Sequence, residues 1–264
     1  MRQKLRRRKL NRRVLVGRVL VAVVLATGWQ VGVLVSPQFG RSIPLFTDVV
    51  AALGRELTSA QLWISVGQTL AVTGAGIGLC LLIGIPVGLL LASHPFLTIS
   101  SRFIIDFCRT VPPLAVIPLF LLTLGPTPTM AITLIVAVGV WPILLQTIFG
   151  VRTVDLELLA TARAFRIPLH RRLLFVVAPA SLPYIFTGIR ISATLALLLA
   201  IGAELIAGVP GLGREILLSQ QASADRMFAL IVVAGAIGMG LAFGIVAIER
   251  RLLTWHFVPR ESAL

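Results

Sequence analysis

Thr153-Val-Asp-Leu-Glu-Leu-Leu-Ala-Thr-Ala-Arg-Ala-Phe-Arg-Ile-Pro-Leu-His-Arg-Arg-Leu-Leu-Phe-Val-Val-Ala-Pro179 is a basic, helix-forming segment set between two long apolar blocks. Asp155 suits the N-cap of a helix, and Glu157 in the first turn complements its dipole. Leu158, Ala162 and Phe165 recur at helical spacing and form an apolar stripe, with Arg163 and Arg166 towards another face. Ile167-Pro168 should end the helix, because the residue before a proline is pushed out of α geometry. Pro168 can then open a second short basic helix, which leads to Pro179 and the next apolar block. An amphipathic helix of this kind can lay its stripe into a groove on a partner or lie flat on lipid headgroups.

The surroundings decide what such a helix is attached to. Hydrophobic residues make up 57% of the 264 residues, and charged ones 13%, well below the roughly 25% of soluble domains. A mean hydropathy of +0.98 agrees. A spanning helix needs about 20 predominantly apolar residues. Six blocks qualify: 14–35, 67–92, 102–124, 128–149, 182–206 and 227–248. The fold class expected is an all-α integral membrane protein with six transmembrane helices. Its basic segment, 153–179, lies between the fourth and the fifth.

Charge sets the orientation. Of the 24 basic residues, eight fall in the first thirteen: Arg2, Lys4, Arg6, Arg7, Arg8, Lys9, Arg12 and Arg13. Placing the N-terminus inside puts Arg152, Arg163, Arg166, Arg171, Arg172, Arg250, Arg251 and Arg260 inside as well. Only Arg41, Arg55, Arg214 and Arg226 remain outside. The positive-inside rule therefore predicts both termini on the cytoplasmic side. The basic tail against an apolar block reads as a topology signal and a contact for anionic lipid, not as a nucleic-acid site, since no recognition fold accompanies the net charge of +14. The block 14–35 is too long for a signal h-region and shows no small-residue cleavage site. The expected order is a tail (1–13), a first span (14–35), an extracytoplasmic segment (36–66), a core of five spans (67–250) and a cytoplasmic tail (251–264).

The third block contains Pro112-Pro113 and then Pro118. Prolines strip backbone hydrogen bonds that lipid cannot replace, so this span is expected to be broken, either as helices lining a solute path often are or as a plain structural kink. Gly-Pro-Thr-Pro (125–128) forms the turn to the fourth span. Three glycine pairs spaced by four, Gly28/Gly32, Gly84/Gly88 and Gly240/Gly244, would allow close helix approach. Cys80 and Cys108 lie in apolar segments without metal-ligand spacing and read as small buried residues.

Catalytic chemistry is not expected. The only lysines, Lys4 and Lys9, sit in the tail, so no Walker A lysine is available. His94, His170 and His256 are dispersed, and no nucleophile–base constellation stands out. No cofactor is expected on this chain; if a nucleotide drives it, the ATP and Mg site is on another chain.

The segment 153–179 resembles the coupling motif of ATP-binding-cassette importer permeases, Glu-Ala-Ala, three residues, Gly, nine residues, Ile-x-Leu-Pro. The corresponding places are Ala160-Thr161-Ala162, Arg166, and Val176-Val177-Ala178-Pro179. Ser42-Ile-Pro-Leu, Gly84-Ile-Pro-Val-Gly88, Arg109-Thr-Val-Pro-Pro-Leu-Ala115, Pro179-Ala-Ser-Leu-Pro-Tyr184, Gly188-Ile-Arg190, Glu204 and Gly211-Leu-Gly213 look most like the nitrate/sulfonate/taurine group. The resemblance implies a prokaryotic plasma-membrane subunit that forms a solute pathway and docks a cytoplasmic ATPase dimer. It also implies an extracytoplasmic solute-binding protein and a second permease subunit, in the simplest case an identical copy. On this reading Leu158, Ala160, Ala162, Arg163, Phe165, Arg166, Pro168 and Pro179 couple to the ATPase.

Two departures matter. The leading Glu is Ala160, and the Gly is Arg166. Because Ile167-Pro168 already gives the helix a reason to stop, Arg166 is expected to stay out of the left-handed conformation that a glycine would take there; a strained arginine is the other outcome. A degenerate coupling helix would fit a non-transporting scaffold or regulatory paralogue, which is the alternative function. Pathway candidates are Arg109, Pro112 and Pro113 at the break, with Arg190 and Glu204 in the fifth span. Arg109 and Arg190 could attract an anion or snorkel to headgroups, and Arg109 could pair with Asp106. Glu204 reads as a gate contact or a helix-end charge.

Overall fold

The computed structural model describes residues 2–36 and 42–254, and it is helical throughout, with no strand among them. Arg41, His256 and Arg260 lie outside the described residues. The chain divides into two compact units, Met1–Leu62 with Ile216–Val233, and Trp63–Glu215 with Ala234–Leu264.

The first unit is built on α1 (Arg2–Val35) and α2 (Phe46–Leu57). The basic tail and the first apolar block thus form one continuous helix, with no break at residue 13. The segment 36–66 carries a helix not expected above, although Phe46, Val49, Val50, Leu53 and Leu57 recur at helical spacing within it. In α2, Asp48 in the first turn and Arg55 in the last suit the dipole. Val49 and Ala52 are buried with Ala229, and Trp29 and Phe228 pack against them. The Trp29 indole N–H donates to the Pro44 carbonyl at 3.1 Å, which ties the end of α1 to the entry of α2. Ion pairs Arg55–Asp225 at 3.0 Å and Arg226–Glu56 at 2.9 Å close the same unit.

The second unit holds α3 (Ala60–Ser93) from residue 63 on, α4 (Pro95–Thr110), α5 (Ile117–Leu124), α6 (Pro128–Arg152), α7 (Leu156–Ala164), α8 (Leu169–Arg172) and α9 (Ala178–Ala207). It also takes in part of α10 (Leu212–Ala222) and of α11 (Ala224–Leu252). A π turn, Leu173–Val177, carries α8 into α9. The core cluster runs through Cys80, Met130, Leu134, Ile135, Ile143, Ala196, Leu199 and Ala203, which belong to α3, α6 and α9.

Small residues let those three helices meet. A Cβ on Gly84 would lie 3.0 Å from the Ile143 side chain, and one on Gly88 would lie 2.7 Å from that of Thr147. At Gly139 the Ser192 hydroxyl donates to the carbonyl oxygen at 2.6 Å. Cys80 lies beside it and is buried, as its apolar setting foretells. Gly28, Gly32, Gly240 and Gly244 have nothing within 4 Å of an added Cβ, so only one of the three glycine pairs serves as a contact among the described residues.

Among the described residues, five helices are long and apolar enough to cross a membrane, and six when the bent pair α4–α5 counts as one span. The sequence-based spans fall on these helices, mostly with longer ends.

Candidate functional site

The bend follows from the prolines. Val111 and Pro112 both precede a proline and are extended, with ψ 125° and 118°. The helix stops at Thr110, and a 3-10 turn (Pro113–Val116) starts the next, so the two arms meet at 81°. The helix expected over this block is therefore broken at the expected residues.

A cavity of about 380 Å³ opens at this break. Arg109, Cys108 and Pro113 line it from one side, Trp141 and Gln146 of α6 and Ile191 of α9 from the other. Its volume falls within the roughly 300–1,000 Å³ of small-molecule sites. Arg109 is half-exposed and pairs with Asp106 at 3.2 Å, as one of its expected roles allowed. Its guanidinium brings the one charge to a lining that is otherwise mostly apolar, with Gln146 as a further polar group.

The other pathway candidates are elsewhere. The Arg190 guanidinium forms a close ion pair with Glu249, so it joins α9 to the C-terminal part of α11 rather than sharing the cavity with Arg109. Glu204 is fully buried. One carboxylate oxygen accepts from the Thr69 hydroxyl at 2.9 Å and from the Gly213 amide at 2.8 Å. The Leu212 amide donates to the same Thr69 hydroxyl at 2.9 Å. A Cβ on Gly211 would run into the Glu204 carboxylate. Glycine at 211 is thus what lets the backbone close over that charge. Glu204, in the last turn of α9, ties the turn after that helix and the start of α10 to α3.

The segment between α6 and α9 forms as its residues direct. Asp155 accepts from the Glu157 amide at 2.9 Å and caps α7. Its other end corrects the expectation for Arg166. That residue has φ 51°, the left-handed region, and no other described non-glycine residue shares a positive φ. The Ile167 amide donates to Ala162 O at 3.0 Å and the Arg166 amide to Arg163 O at 2.9 Å. This pair of bonds is the Schellman motif, with arginine where glycine is usual. Pro168 then starts α8, with the Arg172 amide donating to its carbonyl at 3.0 Å, and Pro179 lies in the first turn of α9.

The stripe is split between two uses. Ala162 is buried within the unit, while Leu158 is 53% and Phe165 77% exposed. Ala160, Arg163, Arg166 and Pro168 are exposed beside them. Sequence reasoning missed Glu249, Thr69 and the wrapping of Glu204 by Gly211 and Gly213. Each is a pairing over 7 to 135 positions that local spacing does not encode.

A family model described as the binding-protein-dependent transport system inner membrane component matches residues 84–254. The chain is 34% identical over 188 residues to the bicarbonate transport system permease protein CmpB of Synechocystis, covering 69% of this chain and 67% of that protein. It is 35% identical over 184 residues to the putative aliphatic sulfonates transport permease protein SsuC of Bacillus subtilis, covering 69% and 64%. To the taurine transport system permease protein TauC of Escherichia coli it is 31% identical over 242 residues, covering 89% and 87%. The aligned stretch thus spans about two thirds of the first two relatives. An inward-facing structure of the methionine ABC transporter MetNI matches with a TM-score of 0.63 at 20% identity, covering 72% of this chain and 95% of that one. That match speaks for the fold.

Proposed function

We propose, because this chain belongs to the family of binding-protein-dependent transport system inner membrane components, that it forms the solute pathway of an ATP-binding-cassette importer for a small anion. Bicarbonate, sulfonate and taurine are the solutes in the names of its relatives. All are small and carry an anionic oxygen group, and an arginine in the cavity lining is chemically suited to them. ATP and Mg would be held by a partner ATPase dimer, and an extracytoplasmic binding protein would deliver the solute to a permease pair. Both termini and α7 would face the cytoplasm.

One observation carries this reading. The capped helix α7, held between α6 and α9, leaves Leu158 and Phe165 uncovered beside Arg163 and Arg166. Two large apolar groups on a rigid, basic-edged turn suit insertion into a groove on a partner. The ATP-bound partner would move the pathway by favouring one of its states over the other. A degenerate coupling helix loses its motive, since Arg166 takes the backbone conformation that a glycine would supply.

The test is reconstitution of the chain with its ATPase and binding protein in liposomes, followed by uptake of taurine, an alkanesulfonate, nitrate and bicarbonate. At least one of these should accumulate with ATP inside the ATPase-facing compartment and not without it. Arg109→Gln should lower that uptake about tenfold or more, the scale of a lost charge-assisted hydrogen bond. No uptake of any of the four solutes by an assembled, ATP-hydrolysing complex would sink the assignment.

A further inference from the structure

A second cleft, of about 340 Å³, lies between α4 and α6 on the side of Arg109 away from the bend. Arg102, Asp106 and Arg109 line it from α4, and Arg152 reaches it from the last turn of α6. Asp106 is the only carboxylate in the lining. It stands 3.8 Å from Arg102 and 3.2 Å from Arg109. No carboxylate lies within ion-pair distance of Arg152 among the described residues. Three guanidiniums against one carboxylate leave a surplus of two positive charges in one cleft.

The face of α4 beside this charged row is apolar and open. Ile99, Phe103 and Phe107, spaced by four, are 72%, 80% and 63% exposed. Arg102 follows Ile99 by three residues, so the cationic row and the apolar row are adjacent stripes on one helix. Inside the cleft Ile105 and Ile148 are buried and supply a non-polar floor. The arrangement combines an anion-binding cleft with a flanking track for hydrocarbon.

We propose that this cleft holds the phosphate headgroup of an anionic phospholipid, with its acyl chains along Ile99, Phe103 and Phe107. A free oxyanion would use the guanidiniums and leave the apolar stripe uncovered; a phospholipid uses both. Guanidinium forks match phosphate oxygens by paired hydrogen bonds, and basic pockets between membrane helices near the interface are suited to headgroups. The inference rests on α4 and α6 being membrane helices and not on the transported solute. Binding is measured without transport, so its failure leaves the importer reading standing.

The experiment is native mass spectrometry of the full purified chain in neutral detergent, titrated with phosphatidylglycerol or phosphatidylcholine. Wild type should retain phosphatidylglycerol in preference. Arg102→Gln/Arg152→Gln should weaken that retention about tenfold or more, the scale for two basic residues beside a headgroup. Arg102→Lys/Arg152→Lys should keep most of the preference, which covers the case of a glutamine variant that fails to fold. Arg171→Gln/Arg172→Gln, removing equal charge outside the cleft, should leave it intact. Equal retention by the cleft variant and wild type, or equal loss in the Arg171/Arg172 variant, overturns the site. Inorganic phosphate and sulfate are the competing arm. If they displace the lipid at equal concentration, the cleft takes a free oxyanion and the lipid assignment falls.

Discussion

Arg166 occupies a conformation that costs a side-chain-bearing residue roughly 1–2 kcal/mol relative to glycine. It stays there because two backbone bonds of the turn, Ile167 to Ala162 and Arg166 to Arg163, form only with that residue left-handed. The expectation that Pro168 would replace the glycine set up a false choice. A proline commonly follows a Schellman turn by one or two positions, so the left-handed residue and the proline act in sequence. Arg166→Gly should therefore relieve strain without changing the turn. Amide exchange at Phe165, Arg166 and Ile167 should slow about fivefold, the equivalent of about 1 kcal/mol. Arg166→Ala should leave exchange near the wild-type rate, since alanine is strained too. Equal exchange in the glycine variant and wild type would show that the charge or packing of Arg166 compensates fully for its backbone.

Elements with local causes are the ones the sequence makes legible. Asp155 names the start of α7, Pro112 and Pro113 name the break in the third span, and both are where those residues put them. The helix α2 is legible too, with Phe46, Val49, Val50, Leu53 and Leu57 at helical spacing, but its partners are not: Val49 and Ala52 are buried against Trp29 and Phe228, which lie outside the helix in sequence. The stripe on α7 is legible as a stripe but not as two uses. Ala162 is small enough to turn inward under the Schellman turn, and only Leu158 and Phe165 remain for a partner. Phe165, at 77% exposure, is then the principal anchor. Truncating a well-buried aromatic costs about 3–5 kcal/mol, and anchors at interfaces approach that. Phe165→Ala should abolish solute-stimulated ATP hydrolysis in the reconstituted complex while the permease still inserts and folds. Retained stimulation would place the docking surface elsewhere on the chain.

Across the whole molecule, the charges divide into two kinds. Those that pair over long distances in sequence, Arg190 with Glu249, Arg55 with Asp225 and Arg226 with Glu56, are visible only once the helices are packed. The basic surplus, concentrated before residue 14 and between 152 and 172, is visible in the sequence as a topology signal. If that surplus sets orientation, α7 and α8 face the cytoplasm and α10 faces the opposite side. On α10 the Ser219 side chain is buried, whereas Gln221 is exposed and suits a label. Thr161 on α7 is exposed as well. In a background with Cys80 and Cys108 changed to serine, a cysteine at 221 should react with a membrane-impermeant maleimide on sealed cells. A cysteine at 161 should react only after the membrane is opened. Labelling of position 161 from outside sealed cells would reverse the orientation and remove α7 from reach of any cytoplasmic ATPase, whatever its exposed Phe165 suggests.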